Sequence, residues 1–244
     1  MTDDLSQQLP RRHLMKGARG RYSPMDPVAQ GSPFPCPSLG SEGVGSLVVG
    51  SNADLMRAAC ALWVGDGESV LDVTFGEGSF WKWDHPFDVV GHDLKTDGVN
   101  FRSLPEGDAT QQVVVIDPPY RPAHGGSATG DHANRYGLAG ESAPDTINDV
   151  IGLYRDAAIE AWRVLSVGGR VMVKCQDLSY NHRLHLVTMD VLRAITGVGF
   201  DLVDQFILGT TSGSRRGAQE RAHRKHSVLW VAVKYEPILQ PKDT

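Results

Sequence analysis

Six short runs rich in Val, Leu and Ile recur along the chain and are separated by segments of helical periodicity. The runs lie at residues 69–73, 88–92, 112–116, 170–175, 200–208 and 227–233. The first three are continuous and apolar, which is typical of central strands buried on both faces of a parallel sheet. Because strands and helices alternate, we predict an α/β fold with an open sheet.

Helical periodicity is clearest in three segments. The first starts at Asn52, a predicted N-cap, and the second runs through residues 150–165 to a stop at Gly168-Gly169. The third spans residues 186–195. A further helix is predicted directly after the Gly-rich turn at residues 72–78, because such turns join a strand to a helix in nucleotide-binding folds.

The ends of the chain differ from its middle. Residues 1–45 are rich in Pro and Gly and show no apolar period, so we predict a disordered basic tail. We expect one folded domain at residues 46–235 and a C-terminal tail at residues 236–244. Two long polar loops, at residues 121–148 and 209–226, interrupt this domain, and loops of that length are commonly functional.

Composition narrows the class of protein. The 244 residues are 41% hydrophobic and 22% charged, which is enough apolar material for a buried core. The three cysteines are far apart and form no Cys-x-x-Cys pair, and no histidine cluster accompanies them, so we expect neither disulfides nor a metal site. No apolar stretch has the length of a membrane span, and we expect a cytoplasmic protein.

Charge is distributed unevenly along the chain, whose net charge is −5. Residues 1–21 carry five basic and two acidic side chains, and residues 209–226 carry five basic and one acidic. The remainder is therefore acidic. Basic segments on an acidic body can bind a polyanion locally, although a merely solvated surface is the alternative.

A Gly-rich turn and a later acid suggest a nucleoside cofactor. Residues 72–78 read Asp-Val-Thr-Phe-Gly-Glu-Gly, and glycine there lets a ligand approach the backbone. Position 81 is Trp, so the dinucleotide fingerprint is incomplete and a nicotinamide cofactor is disfavoured. Asp93 ends the next strand, where a carboxylate can accept hydrogen bonds from both ribose hydroxyls. An ordinary structural turn is the alternative.

The strongest motif follows the third strand. It consists of Asp117, Pro118, Pro119 and Tyr120. The two prolines lack backbone donors and stiffen the loop, which leaves the Asp117 carboxylate and the Pro118 carbonyl as fixed acceptors. Such acceptors select an amino group, and the Tyr120 ring can stack on the planar base that carries it.

The order of these motifs resembles the S-adenosylmethionine-dependent methyltransferases that modify exocyclic amino groups of nucleic-acid bases, chiefly the DNA adenine-N6 and cytosine-N4 enzymes. The resemblance spans residues 46–235. Small bacterial and phage members are similar in having a Tyr-Gly pair, here Tyr136-Gly137, and a lysine on a strand, here Lys174. Their basic-to-apolar final strand corresponds to residues 224–231.

The resemblance implies a Rossmann-like class I methyltransferase fold: an open, seven-stranded, mostly parallel sheet whose last strand is antiparallel. It implies S-adenosyl-L-methionine as cofactor, bound by the turn and by acids beyond it. The implied cofactor residues are Asp72, Thr74, Phe75, Gly76 and Gly78 at the methionine part, Asp93 at the ribose, and Asn100 or Asp108 at the adenine. The implied catalytic residues are Asp117, Pro118, Pro119 and Tyr120, which support direct in-line methyl transfer.

Nucleic acid is the expected partner, most of all DNA. Its phosphates would be bound by the basic residues of the second loop. These residues are Arg215, Arg216, Arg221, Arg224 and Lys225. An RNA base amino-methyltransferase and an inactive nucleic-acid-binding relative remain as alternatives. Cytosine-C5 chemistry needs a Pro-Cys nucleophile after the cofactor motif, whereas Cys36 precedes it, so that chemistry is disfavoured.

Overall fold

The computed structural model describes residues 43–122, 144–210, 222 and 224–235. Within these ranges the chain forms nine β-strands and three α-helices. In chain order they are β1 (Leu47–Val49), α1 (Asn52–Trp63), β2 (Ser69–Asp72), β3 (Asp88–Gly91), β4 (Gln111–Ile116), α2 (Ile147–Val164), β5 (Leu165–Cys175), β6 (Leu178–Tyr180), β7 (Arg183–His185), α3 (Val187–Val198), β8 (Asp201–Gly209) and β9 (His226–Val233).

Seven strands form one sheet in the order β1-β8-β9-β5-β4-β2-β3. Strand β9 is antiparallel to both of its neighbours, and the other pairs are parallel. The predicted seven-stranded, mostly parallel sheet with an antiparallel last strand is therefore confirmed. Its seventh strand is β1 at the edge, which the hydrophobic pattern did not predict.

The central strands are buried on both faces, as their sequences predicted. Along β4, Val113 and Val115 belong to the core beneath α1, whereas Val114 and Ile116 belong to the core beneath α2 and α3. This alternation is the two-residue period of a strand that separates two apolar layers. The prediction is wrong for β3, because β3 lies at the sheet edge and three of its four residues are exposed.

Two local predictions are corrected. The N-cap of α1 is Ser51 rather than Asn52: the Ser51 hydroxyl accepts from the Asp54 N–H at 3.2 Å, and the Asp54 carboxylate accepts from the Ser51 N–H at 2.9 Å. This reciprocal pair satisfies two otherwise unpaired donors at the helix start. The helix predicted after the Gly-rich turn is absent: residues 73–87 form a loop of turns and bends.

Aromatic packing explains why no helix follows that turn. The Trp81 indole N–H donates to Asp72, and the Trp83 indole N–H donates to the Phe80 carbonyl at 3.0 Å. The rings of His85 and Phe87 stack at 5.3 Å and lie beside Trp83. These contacts, together with the donor missing at Pro86, stabilise a folded loop in place of a helix.

Candidate active site at the carboxyl ends of the parallel strands

The carboxyl ends of β2, β3 and β4 meet at one edge of the sheet. Asp72, the last residue of β2, pairs in register with Gly91 on one side and with Val115 on the other. Asp93 therefore follows β3 close to Asp72, and Asp117 directly follows the end of β4. The fold brings these three acids, predicted from separate motifs, to the edge at which ligands bind in open α/β sheets.

The glycine turn leaves bare backbone at Gly76 but not at Gly78. Gly76 and Gly78 have φ values of +53° and +64°, which favour glycine. A Cβ atom on Gly78 would lie 2.9 Å from the Phe75 ring, so Phe75 covers this part of the turn. A Cβ on Gly76 would lie 3.9 Å from Asp93 Oδ2, so the Asp93 carboxylate faces the bare backbone of Gly76.

Asp93 has one carboxylate oxygen that can still accept a hydrogen bond. Its side chain is buried, and Oδ1 accepts a hydrogen bond from the Lys95 N–H at 2.9 Å. Within the described residues no hydrogen bond reaches Oδ2, the atom that faces Gly76. A carboxylate oxygen with free acceptor capacity beside a glycine turn suits a donor such as a hydroxyl group.

His92 anchors the loop that carries Asp93, a role that the sequence did not suggest. Its Nδ1 lies 2.7 Å from Asp97 and its Nε2 lies 2.8 Å from Glu106. Burial lowers the pKa of His92, but the hydrogen bonds and charges of Asp97 and Glu106 outweigh it and raise the pKa above its ordinary value. Asp97 also accepts from the Asp93 N–H at 3.1 Å, which fixes the backbone of Asp93.

The Asp72 carboxylate is buried and stabilises the glycine turn through hydrogen bonds. Its carboxylate accepts from the Thr74 N–H at 3.0 Å and from the Trp81 indole N–H at 2.8 Å. Burial raises the pKa of Asp72 to about 6, against the opposing hydrogen bonds of Trp81 and Thr74. Because the folded pKa exceeds the unfolded one, Asp72 reduces the free energy of unfolding as pH rises from about 4 to about 6.

We expect Trp81→Phe to destabilise the protein more at pH 8 than at pH 5. Removing the indole donor raises the pKa of Asp72 further, so ionised Asp72 is then buried with one hydrogen bond fewer. A hydrogen bond to a charged group contributes about 1.5–3 kcal/mol and a neutral one about 1, so the extra loss at pH 8 should be about 1 kcal/mol. Urea unfolding at both pH values measures it.

Trp83→Phe is the matched control for that substitution. The Trp83 indole donates to a neutral backbone carbonyl, so its loss should be the same at both pH values. An equal loss at pH 5 and pH 8 for Trp81→Phe would show that Asp72 does not titrate in this range.

Thr74 joins the glycine turn to the loop after β4. Its hydroxyl donates to Asp72 Oδ1 at 3.3 Å and accepts from the Asp117 N–H at 2.8 Å. One side chain thus fixes the relative position of two motifs that are 43 residues apart. The sequence placed Thr74 in the cofactor motif, and the structure shows that it also holds the backbone of Asp117.

Asp117 has one paired and one unpaired carboxylate oxygen. Oδ2 accepts a hydrogen bond from Lys174 Nζ at 3.1 Å, whereas Oδ1 is buried and has no partner among the described residues. Burial raises the pKa of Asp117, and the charge and hydrogen bond of Lys174 oppose this shift. An enclosed oxygen without a donor is costly unless a ligand satisfies it.

The three residues after Asp117 form the rest of this loop. Pro118 and Pro119 are buried, and Tyr120 is half-buried against the core beneath α2. Lys174 reaches the loop from β5, 57 residues further along the chain. Its contact with Asp117 was not predicted, because no local pattern reports a pairing between two strands so far apart.

The two predicted adenine contacts, Asp108 and Asn100, each have a partner within the chain. Asp108 precedes the amino end of β4, the opposite end of the strand from Asp117, and pairs with Arg163 at 2.7 Å. The Asn100 side-chain oxygen accepts from the Arg102 N–H at 3.0 Å in a local turn. Asp108 was predicted as a cofactor residue, but the structure places it at the opposite end of β4, where it pairs with Arg163 of α2.

The basic segment returns to the same edge. Because β9 is antiparallel, its amino end lies beside the carboxyl ends of its neighbours, and Arg224 and Lys225 precede it there. Gln176, just beyond β5, donates to the His226 carbonyl at 2.7 Å, and the Thr210 N–H donates to the Lys225 carbonyl at 2.8 Å. Arg215, Arg216 and Arg221 lie outside the described residues, as do residues 123–143 of the first loop.

The described residues contain neither a candidate metal site nor a candidate membrane span. Across the described ranges, no group of three or more His, Cys, Asp or Glu side chains is arranged to hold a metal ion. In the same part of the chain, none of the helices combines the length and the apolar character needed to cross a bilayer.

Comparison with known proteins gives the fold. No family model matches the chain, and no curated protein matches it. The structure is similar to a proposed methyltransferase from Bacillus halodurans, with a TM-score of 0.50 and 15% identity, over 77% of this chain and 100% of that one. The chain therefore has the Rossmann-like methyltransferase fold.

Two further solved structures are similar at lower scores. One is a proposed DNA modification methylase from Thermus thermophilus, in complex with S-adenosyl-L-methionine (TM-score 0.38, 15% identity, 72% of this chain and 59% of that one). The other is TrmN from Thermus thermophilus (TM-score 0.45, 18% identity, 75% and 48%). The chain spans only 53% to 59% of the length of the modification methylase in its three matched structures.

Proposed function

We propose that the chain is an S-adenosyl-L-methionine-dependent methyltransferase that acts on an exocyclic amino nitrogen of a DNA base, adenine N6 or cytosine N4. The observation that carries the proposal is the buried, unpartnered Oδ1 of Asp117. It belongs to a rigid Asp-Pro-Pro-Tyr loop at the same sheet edge as the glycine turn. Residues 46–235 form the catalytic domain in this proposal, and residues 1–45 and 236–244 lie outside it.

The residues at the turn fit the cofactor. Gly76 leaves space in front of Asp93 Oδ2, which suits a ribose hydroxyl, and Thr74 and Asp72 hold the turn open. Phe75 and Gly78 complete the turn, so that Asp72, Thr74, Phe75, Gly76, Gly78 and Asp93 are the proposed cofactor residues. When bound, S-adenosyl-L-methionine supplies a methyl group on a positively charged sulfur, so transfer forms one N–C bond, breaks one S–C bond and releases a proton and a neutral thioether.

The loop after β4 prepares the nucleophile. An aromatic amine is a poor nucleophile, because its lone pair is delocalised into the ring. Asp117 Oδ1 and the Pro118 carbonyl accept the two N–H groups, which favours a pyramidal nitrogen whose lone pair points at the methyl group. Tyr120 stacks on the base, which replaces part of the stacking lost when the base leaves its helix.

The basic residues at this edge bind the phosphates in this proposal. We expect Arg224→Ala/Lys225→Ala to weaken binding to duplex DNA and to reduce the slope of log K against log salt by about two, one for each lost phosphate contact. Binding isotherms at several salt concentrations measure the slope.

Arg193→Ala is the control for the salt experiment. Arg193 is exposed on α3, pairs with Asp190 at 2.8 Å, and lies outside the basic segment of residues 209–226. Its removal should leave the slope unchanged. A double variant with the wild-type slope would remove Arg224 and Lys225 from the interface.

The proposed function is tested by supplying methyl-labelled cofactor with duplex DNA, single-stranded DNA or RNA and identifying the labelled nucleoside. Label in N6-methyladenine or N4-methylcytosine of DNA supports the proposal. Label in an RNA base alone replaces DNA by RNA as the substrate. No label in any nucleic acid contradicts the proposal and favours a nucleic-acid-binding relative without turnover.

A further inference from the structure

Lys174 is a buried cation next to the proposed catalytic carboxylate. Only 7% of the residue is exposed, and Nζ lies 3.1 Å from Asp117 Oδ2. Nζ also lies 5.7 Å from the centre of the Phe80 ring, over its face. A buried ammonium group is costly unless it is paired. Contacts with the Asp117 carboxylate and the Phe80 ring therefore replace the water that would otherwise solvate the Lys174 charge.

Strand pairing sets this contact. Ile116 at the end of β4 pairs in parallel register with Val173 of β5, so Asp117 and Lys174 are the next residues on the two strands. On the other side of β5, Lys174 pairs with Leu229 of β9. The Tyr154 hydroxyl donates to the Lys174 carbonyl at 3.1 Å. The backbone at Lys174 is therefore fixed by β4, by β9 and by the Tyr154 hydroxyl.

We propose that Lys174 is a positioning residue for methyl transfer, which holds Oδ2 of Asp117 so that the carboxylate stays charged and presents Oδ1 to the substrate amine. The inference rests on the proposed function of this site. It explains why one carboxylate oxygen is paired and the other is enclosed without a partner.

Burial and a neighbouring acid favour the neutral form of Asp117. Burial raises the pKa of Asp117, and the buried Asp72 of β2 is close enough for the two carboxylates to interact. Cys175, the next residue of β5, is a buried thiol whose pKa is raised, chiefly by burial, so it is a neutral neighbour of Asp117. Among the described residues, Lys174 is the cation that contacts Asp117. A protonated Asp117 would carry a hydrogen where an acceptor is needed.

Lys174→Met and Lys174→Arg in the full chain test the inference. At saturating cofactor, we expect Lys174→Met to lower kcat at pH 7 by about tenfold or more and to shift the acid limb of the pH profile upward by about one unit, because the pKa of Asp117 rises. Activity should recover in part toward pH 9. Lys174→Arg keeps the charge and should retain the acid limb of the wild type, and both variants should bind cofactor within about threefold of wild type.

A role limited to folding would not move the pH profile. An unshifted acid limb in Lys174→Met, or an equal loss in both variants at every pH, overturns the inference while wild-type activity still supports the proposed function. If Lys174→Met does not fold, a shifted limb in Lys174→Arg overturns it. Urea unfolding needs no activity: Lys174→Met should lose more stability at pH 8 than at pH 5, and an equal loss contradicts the inference even if the wild type transfers no methyl group.

Discussion

Asp117→Ala should reduce methyl transfer by about a hundredfold or more and leave cofactor binding nearly intact. The substitution removes the Oδ1 acceptor proposed for the substrate amine, and one lost electrostatic contact to a reacting group costs about 10²–10³ in kcat. The backbone N–H of residue 117 still donates to Thr74, so the glycine turn keeps its support. Single-turnover rates and cofactor titration measure the two effects separately.

Asp108→Ala is the matched control for that loss. Asp108 belongs to the same strand region as Asp117 but precedes the amino end of β4, and 80% of its side chain is exposed. Its removal breaks the ion pair with Arg163 and should leave kcat unchanged. A rate within about twofold of wild type for Asp117→Ala, in a variant that is folded at the assay temperature, would remove Asp117 from the chemistry.

Asp93→Ala should weaken cofactor binding by about tenfold to a hundredfold and leave kcat at saturating cofactor close to wild type. A hydrogen bond to a charged acceptor contributes about 1.5–3 kcal/mol, which corresponds to this range. The carboxylate oxygen that faces Gly76 is the proposed acceptor for the ribose hydroxyls. Calorimetric titration gives the dissociation constant, and kcat with KM for the cofactor gives the kinetic effect.

Asp88→Ala separates this effect from a general change of charge. Asp88 lies at the exposed amino end of β3, whereas Asp93 follows its carboxyl end. The control should bind cofactor as the wild type does. Equal affinities of Asp93→Ala and wild type would show that the adenosyl group does not reach Asp93, and the proposed cofactor site would then be wrong.

The strands that matter for the site were predictable, because burial on both faces leaves a local signature. The continuous apolar runs of β2 and β4 correctly indicated buried strands. The three residues of β1 carry no such signature, since a short edge strand with Leu47 and Val49 largely exposed reads like the Pro- and Gly-rich segment before it. Likewise, the exposed position of β3 depends on which strand pairs with which.

The sequence predicted those residues of the candidate site that lie at the ends of strands. Asp72, Asp93 and Asp117 each terminate an apolar run, and parallel strands bring such residues to one edge. Lys174 and His92 were missed as site residues, because their roles come from contacts across the sheet or between loops. The prediction for Asp108 was wrong, because the sequence pattern around β4 does not indicate which acid lies at the carboxyl end of the strand.

The most direct test is a crystal structure of the wild-type protein with S-adenosylhomocysteine and the nucleic acid that it methylates. We expect Asp117 Oδ1 to lie within hydrogen-bonding distance, about 2.6–3.2 Å, of the exocyclic nitrogen, with Oδ2 still bound to Lys174. We also expect Asp93 to contact the ribose. An amine bound elsewhere, with Asp117 Oδ1 still enclosed in the protein, would contradict the proposed mechanism.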